Sequence, residues 1–118
     1  MKKHALDSFR TPPERLNCAQ AVLHGYQAVS GNRTLALRDF KSLGGGRAPG
    51  GLCGALHAAC CVLPEAKEFL EGEFVRRMGS AQCRELKASH AHACAVCVET
   101  AAELLAYALA KNAGAKAE

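Results

Sequence analysis

Tryptophan is absent from the 118 residues, and the aromatic share is only 5%. A core built from this chain has to be filled by small and aliphatic side chains, which suits an all-helical domain rich in alanine and leucine. No stretch carries a strand signal, and no internal repeat is present. No apolar run approaches the roughly 20 residues that a membrane-crossing helix needs, so membrane insertion is not expected. Met1-Lys2-Lys3 leads into polar residues and not into an apolar segment. No secretory signal is expected, and the location read from this is cytoplasmic. A strong charge of one sign is missing too. The net charge of +4 is spread along the chain, and Lys2-Lys3 and Arg76-Arg77 have no aromatic residues interleaved. Nucleic-acid binding is therefore not expected. There is no Ser-His-Asp order, no Walker loop and no dinucleotide fingerprint. The glycines at 44 to 46 follow no strand and precede no Gly-Lys-Ser/Thr ending, so they do not make a phosphate loop.

What the chain has in excess is cysteine: seven, at positions 18, 53, 60, 61, 83, 94 and 97. The number is odd, which argues against a simple disulfide framework. In a chain without a secretory signal, clustered cysteines point to metal ligation or redox chemistry. The plainer alternative is that a free cysteine packs as a small core residue.

Gly44-Gly45-Gly46-Arg47-Ala48-Pro49-Gly50-Gly51 cannot form a packed helix, because glycine loses too much backbone entropy and the residue before Pro49 avoids the helical region. From Gly51 onward Leu52, Cys53, Leu56, Ala59, Cys60 and Leu63 fall at helical spacing. Cys53 is thus expected in the first turn of a helix fed by a loop, where free amides and the helix dipole favour a thiolate.

The rest of the chain also reads as helix. Ala5, Leu6 and Phe9 allow a short leading helix. Thr11, Pro12 and Glu14 give a capping-box start for a helix running to about residue 29, with a stop at Gly31-Asn32. Leu16, Ala19, Leu23 and Tyr26 form its apolar stripe, bordered by Cys18, Val22 and Val29. A shorter helix is expected over about 34 to 43. Pro64-Glu65 opens another, with Phe69, Leu70, Phe74, Val75 and Met78 on its buried side. Gly79-Ser80 ends it, and Ser80 can cap a short helix over 81 to 86. The last and longest helix is expected from about 91 to 111, rich enough in alanine for a partner helix to approach closely. The expected fold is one all-α domain over 1–118, a compact bundle of four to five helices with the glycine-rich loop before the third. Residues 1–10 and 112–118 are expected to be loosely ordered.

Cys18, Cys53, Cys83 and Cys94 each fall near an expected helix start. Four helix N-termini, each worth roughly half a positive charge, are a sensible way to hold four thiolates. Such a site suits a [2Fe–2S] cluster or a zinc ion. Cys94-Ala95-Val96-Cys97 is a CxxC with both sulfurs on one helix face, and Val98 in place of histidine excludes c-type haem attachment there. Cys60 and Cys61 diverge in mid-helix and read as core. His57 shares a helix face with Cys53 and reads first as a surface or core histidine, then as a ligand or proton donor. His90 and His92 flank the start of the last helix, while His4 and His24 carry no usable context.

Asn17-Cys18-Ala19-Gln20-Ala21-Val22, Gly51-Leu52-Cys53-Gly54-Ala55-Leu56, Phe74 through Gly79-Ser80, Cys83-Arg84-Glu85-Leu86, and Cys94 with Val98 and Ala101-Ala102-Glu103-Leu104 together resemble a known family. It is the bacterial and archaeal redox-active family named for its C…CGAxxG…C…C four-cysteine pattern. The similarity runs over about residues 14 to 106. It implies a small helical protein that binds an iron–sulfur cluster or another metal, zinc being the alternative, through Cys18, Cys53, Cys83 and Cys94. Departures are Ala58 where the motif has glycine, a short segment between Cys83 and Cys94, and the extra Cys60, Cys61 and Cys97. Cys97 can replace or supplement Cys94.

The expected function is that of an electron carrier or accessory redox module working with a redox partner protein, and no catalytic residue is assigned. One alternative is a dithiol/disulfide protein in which Cys53 attacks and Cys83, Cys94 or Cys97 resolves. Another is a structural interaction module whose cysteines pack or hold zinc. The alanine-rich helices leave room for a homodimer.

Overall fold

Each helix of this chain has to start where some neighbouring group can satisfy its first amides, since these have no partner inside the helix. The computed structural model describes residues 2–9, 16–32, 34–43, 48–89 and 93–117. Its helices are α1 (Lys2–Ser8), α2 (Cys18–Ser30), α3 (Gly54–Val62), α4 (Lys67–Met78), α5 (Cys83–Ser89) and α6 (Ala93–Ala117), with 3-10 segments at Leu37–Leu43, Pro49–Gly51 and Pro64–Ala66. The all-α expectation holds: among the described residues there is no strand, and only Phe9 with Leu16 and Leu52 with Gln82 form isolated bridges.

The start of α2 corrects the sequence reading. Its cap is Asn17, which forms a capping box: the side chain accepts from the Gln20 amide at 2.8 Å, and Gln20 Oε1 accepts from the Asn17 amide at 3.1 Å. The Thr11 to Glu14 signal lies outside the described residues, and Leu16, placed in the helix by periodicity, precedes it. The expected helix over 34 to 43 is also corrected, to a 3-10 strap from Leu37. Asn17 Nδ2 donates to the Phe40 and Lys41 carbonyls, Gln20 Nε2 to that of Leu37, and Gln27 Nε2 to that of Leu35. Carbonyls held by α2 side chains are drawn away from the bonds of a regular helix. The Asp39 amide turns to Ala36 instead, one residue closer than in an α-helix.

α6 packs against α1, α2, α3, α4 and α5. Val98, Ala101, Ala102, Leu104 and Leu105 are buried, so apolar residues surround much of the helix, as a central helix requires. It runs past residue 111 to Ala117, so the end expected there is corrected; alanines at 113, 115 and 117 keep helix propensity high. The leading segment is likewise a packed helix, not a loose one, because Ala5 is fully buried and α1 packs on both α2 and α6.

On α4 the buried stripe narrows to Leu70, Phe74 and Met78, at i, i+4 and i+8. Phe69 and Val75, expected inside, are 37% and 40% exposed. Phe69 instead stacks on Tyr107 of α6, with ring centroids 5.6 Å apart. Burying a side chain such as Phe74 contributes about 1.5–3 kcal/mol, so three such residues fix α4 on the bundle. Gly79 ends α4 at φ +88°, a conformation that L side chains rarely adopt, and its amide bonds the Val75 carbonyl at 2.7 Å. Ser80 does not cap α5 as expected. Its hydroxyl accepts from the Gln82 amide in a local turn, and α5 starts at Cys83. The radius of gyration is 13.1 Å, which matches the roughly 13 Å of a single domain of this size.

Candidate functional site

Cys53 marks the point at which the loop becomes helix. It is the N-cap of α3, with φ −56° and ψ 127°. Its amide donates to the Ala81 carbonyl at 2.8 Å, and Leu52 bridges Gln82 beside it. These contacts lay the start of α3 along the residues that lead into α5. Cys18, the first residue of α2, approaches from the other side. A Cβ built on Gly54 would stand 2.9 Å from Cys18 Sγ and 2.7 Å from the Leu43 carbonyl oxygen. Glycine at 54 is therefore what lets the Cys18 sulfur and the strap carbonyl reach the first turn of α3.

The Cys53 thiol is acidic. Its pKa is lowered from the ordinary 9.0 to about 7, and the largest cause is a hydrogen bond from the Cys97 side chain. Burial opposes this, while the Leu56 and Ala55 amides add to it. No side-chain cap bond of ordinary length closes on Cys53. The amides of the first turn nonetheless face its sulfur, as the helix dipole requires of a thiolate at this position. Cys53 and Cys97 are both 3% exposed, and Cys18 and Cys83 are buried as well.

Cys94 is the second residue of α6, and its side chain lies outside the described residues. His90 and His92 lie outside them too. Among the described residues no three His, Cys, Asp or Glu side chains stand at distances that hold a metal ion. Cys18, Cys53 and Cys83 do lie at the starts of α2, α3 and α5. In the described part of the four-cysteine set they form no ready coordination shell.

The remaining cysteines occupy the other end of α3. Cys60 and Cys61, read as core, line an open groove of about 500 Å3 together with His57, Pro64, Lys67 and Glu71. Cys60 is buried, whereas Cys61 is half-buried, with its sulfur 3.5 Å from His57 Nε2. Burial pushes the Cys60 thiol up to about 11, and the Glu71 charge adds to this. Burial also raises the Cys61 pKa. His57 is lowered, first by burial and then by Lys67.

Sequence reasoning placed Cys97 on the same helix face as Cys94 but did not single it out as the partner of Cys53. The three-residue step from Cys94 carries only that helix-face signal. The His57–Cys61 pairing had a readable signature, four residues apart on one helix. No family model matches the chain, and neither a curated protein nor a solved structure does. The described side chains of the site offer an acidic thiol in hydrogen-bond contact with a second thiol.

Proposed function

We propose that this chain is a thiol-based redox protein whose working pair is Cys53 and Cys97. The observation that carries this reading is the bond from the Cys97 thiol to the Cys53 sulfur, the largest cause of a Cys53 pKa of about 7. A thiol whose pKa lies near ambient pH is the best attacking group, because a more acidic one gives a weaker nucleophile. The Cys53 thiolate attacks a disulfide of a redox partner protein, breaking its S–S bond and releasing one partner sulfur. Cys97 then attacks the mixed disulfide and releases the second. Two electrons pass to the partner, the two thiol protons go to its leaving thiolates, and a Cys53–Cys97 disulfide remains. With both residues 3% exposed, the exchange waits on local opening of the fold. A cytoplasmic setting belongs to the same proposal, since such a pair stays available only where thiols are kept reduced.

The test is oxidation of the whole chain by a small disulfide, acid quenching and peptide mapping. A peptide pair joined through Cys53 and Cys97 is expected. Cys53 remaining a thiol after the other cysteines have reacted would refute the assignment.

The family resemblance favours a second reading, ligation of an iron–sulfur cluster or zinc by Cys18, Cys53, Cys83 and Cys94. It is supported by the placement of the first three at helix starts. Because the described residues present no converged donor set, we derive no step through a metal. Anaerobic reconstitution with iron and sulfide separates the two readings. Visible absorbance lost on replacing Cys18 or Cys83 favours ligation, and a colourless protein that still forms the Cys53–Cys97 bond favours exchange.

A further inference from the structure

The groove beside the far end of α3 holds a thiol that the Cys53–Cys97 pair does not use. Cys61 is half-buried there, with its sulfur 3.5 Å from His57 Nε2. A nucleophile and a base this close, in a cavity of about 500 Å3, have the spacing that reacting pairs show before a substrate draws them together. The volume falls in the range of roughly 300–1,000 Å3 typical of small-molecule sites. Leu52 and Pro64 give the groove an apolar lining, and Lys67 and Glu71 add one charge of each sign. Lys67 Nζ and Glu71 Oε1 stand 4.0 Å apart, with side chains 64% and 37% exposed. So loose and exposed an ion pair contributes little by itself, which leaves both charges available to a ligand. An α-amino-acid head carries a carboxylate for Lys67 and an ammonium for Glu71.

We infer that this groove binds a small zwitterionic disulfide of the amino-acid type, and that Cys61 forms a mixed disulfide with it. The Cys61 proton passes to His57 as the sulfur attacks. The ligand's S–S bond breaks, the new S–S bond forms at Cys61, and the proton goes from His57 to the departing thiolate. Burial and Lys67 favour the neutral imidazole that this role needs. The step is independent of the Cys53 chemistry.

The experiment incubates the full chain with cystine and follows each cysteine by peptide mass spectrometry. The cysteinyl adduct is expected first at Cys61. His57→Gln should slow it at least about a hundredfold, the low side of what a positioned base supplies. Lys67→Gln should slow the reaction with cystine but not with neutral hydroxyethyl disulfide, and Cys53→Ser should leave Cys61 labelling unchanged. Circular dichroism confirms that each variant keeps its helices. If His57→Gln fails to fold, the preference of the unmodified chain for cystine over hydroxyethyl disulfide decides the matter. An adduct forming elsewhere before Cys61, no effect of His57→Gln, or no preference for the zwitterion would overturn the inference.

Discussion

Replacing Cys97 by alanine removes the largest influence holding the Cys53 pKa at about 7. What remains is burial, which raises the pKa, and two backbone amides, which lower it. The Cys53 midpoint should therefore climb, and a full return to its ordinary 9.0 sets the scale of the effect. At pH 7 the thiolate fraction would fall from about one half to about one hundredth, roughly fiftyfold. A more basic thiolate is intrinsically a better nucleophile, and a Brønsted slope of about 0.45 returns roughly eightfold of that loss. The net drop in Cys53 alkylation rate at pH 7 is thus about sixfold, and the pH–rate midpoint moves by about two units. Stability moves with it. The folded pKa lies below the unfolded one, so the native protein gains stability as pH rises from about 7 to 9 and loses it as pH falls back through 7. The full effect of a two-unit shift is about 2.7 kcal/mol. In Cys97→Ala this slope should flatten, whereas Cys97→Ser, which keeps a donor, should retain part of it. The assay is iodoacetamide labelling with residue-resolved mass spectrometry, paired with urea denaturation at several pH values. An alkylation midpoint that stays near 7 in Cys97→Ala would show that the helix amides alone set the acidity, and the pairing argument would fall.

Gly54→Ala should destabilise the fold by about 1–2 kcal/mol in urea denaturation. The added methyl meets the Leu43 carbonyl and Cys18 Sγ at 2.7 and 2.9 Å, and overpacking of that kind outweighs the roughly 1 kcal/mol gained in helix propensity. A neutral or more stable variant would mean that the strap can move aside. Asn17→Ala should lose about 2 kcal/mol by the same measurement, about half from the cap and half from the abandoned Phe40 and Lys41 carbonyls. Asn17→Ser, which can still cap but cannot reach both carbonyls, should lose about half as much. No loss in Asn17→Ser would remove the strap from the account, and equal losses in the two variants would remove the cap.

The sequence disclosed the helices that announce themselves locally, because helical periodicity and the Gly79 stop depend only on neighbouring residues. The start of α2 was hidden by a rival signal. Thr11, Pro12 and Glu14 make a fuller capping pattern on paper than Asn17 with Gln20, and only packing shows which residue caps. The 3-10 strap could not be read from 34 to 43 at all, since its conformation is decided by amide side chains 8 to 24 residues away. Much the same holds for the site. Helix starts placed Cys18, Cys53 and Cys83 in the right kind of position, but the choice of Cys97 as the neighbour of Cys53 depends on how α6 crosses α3. Phe69 and Val75 were misplaced because α4 offers α6 and α3 a stripe narrower than its apolar composition suggests.

The strap over α2 is fastened by neutral amides, four contacts from Asn17, Gln20 and Gln27 with no charged group among them. Ions in solution have nothing to screen there, in contrast to the exposed Arg77–Glu103 pair that joins α4 to α6. Raising ionic strength should loosen that surface tie while the strap stays seated. Because Leu43 closes the strap against Gly54, the surroundings of the Cys18 sulfur are thereby insulated from the saltiness of the medium.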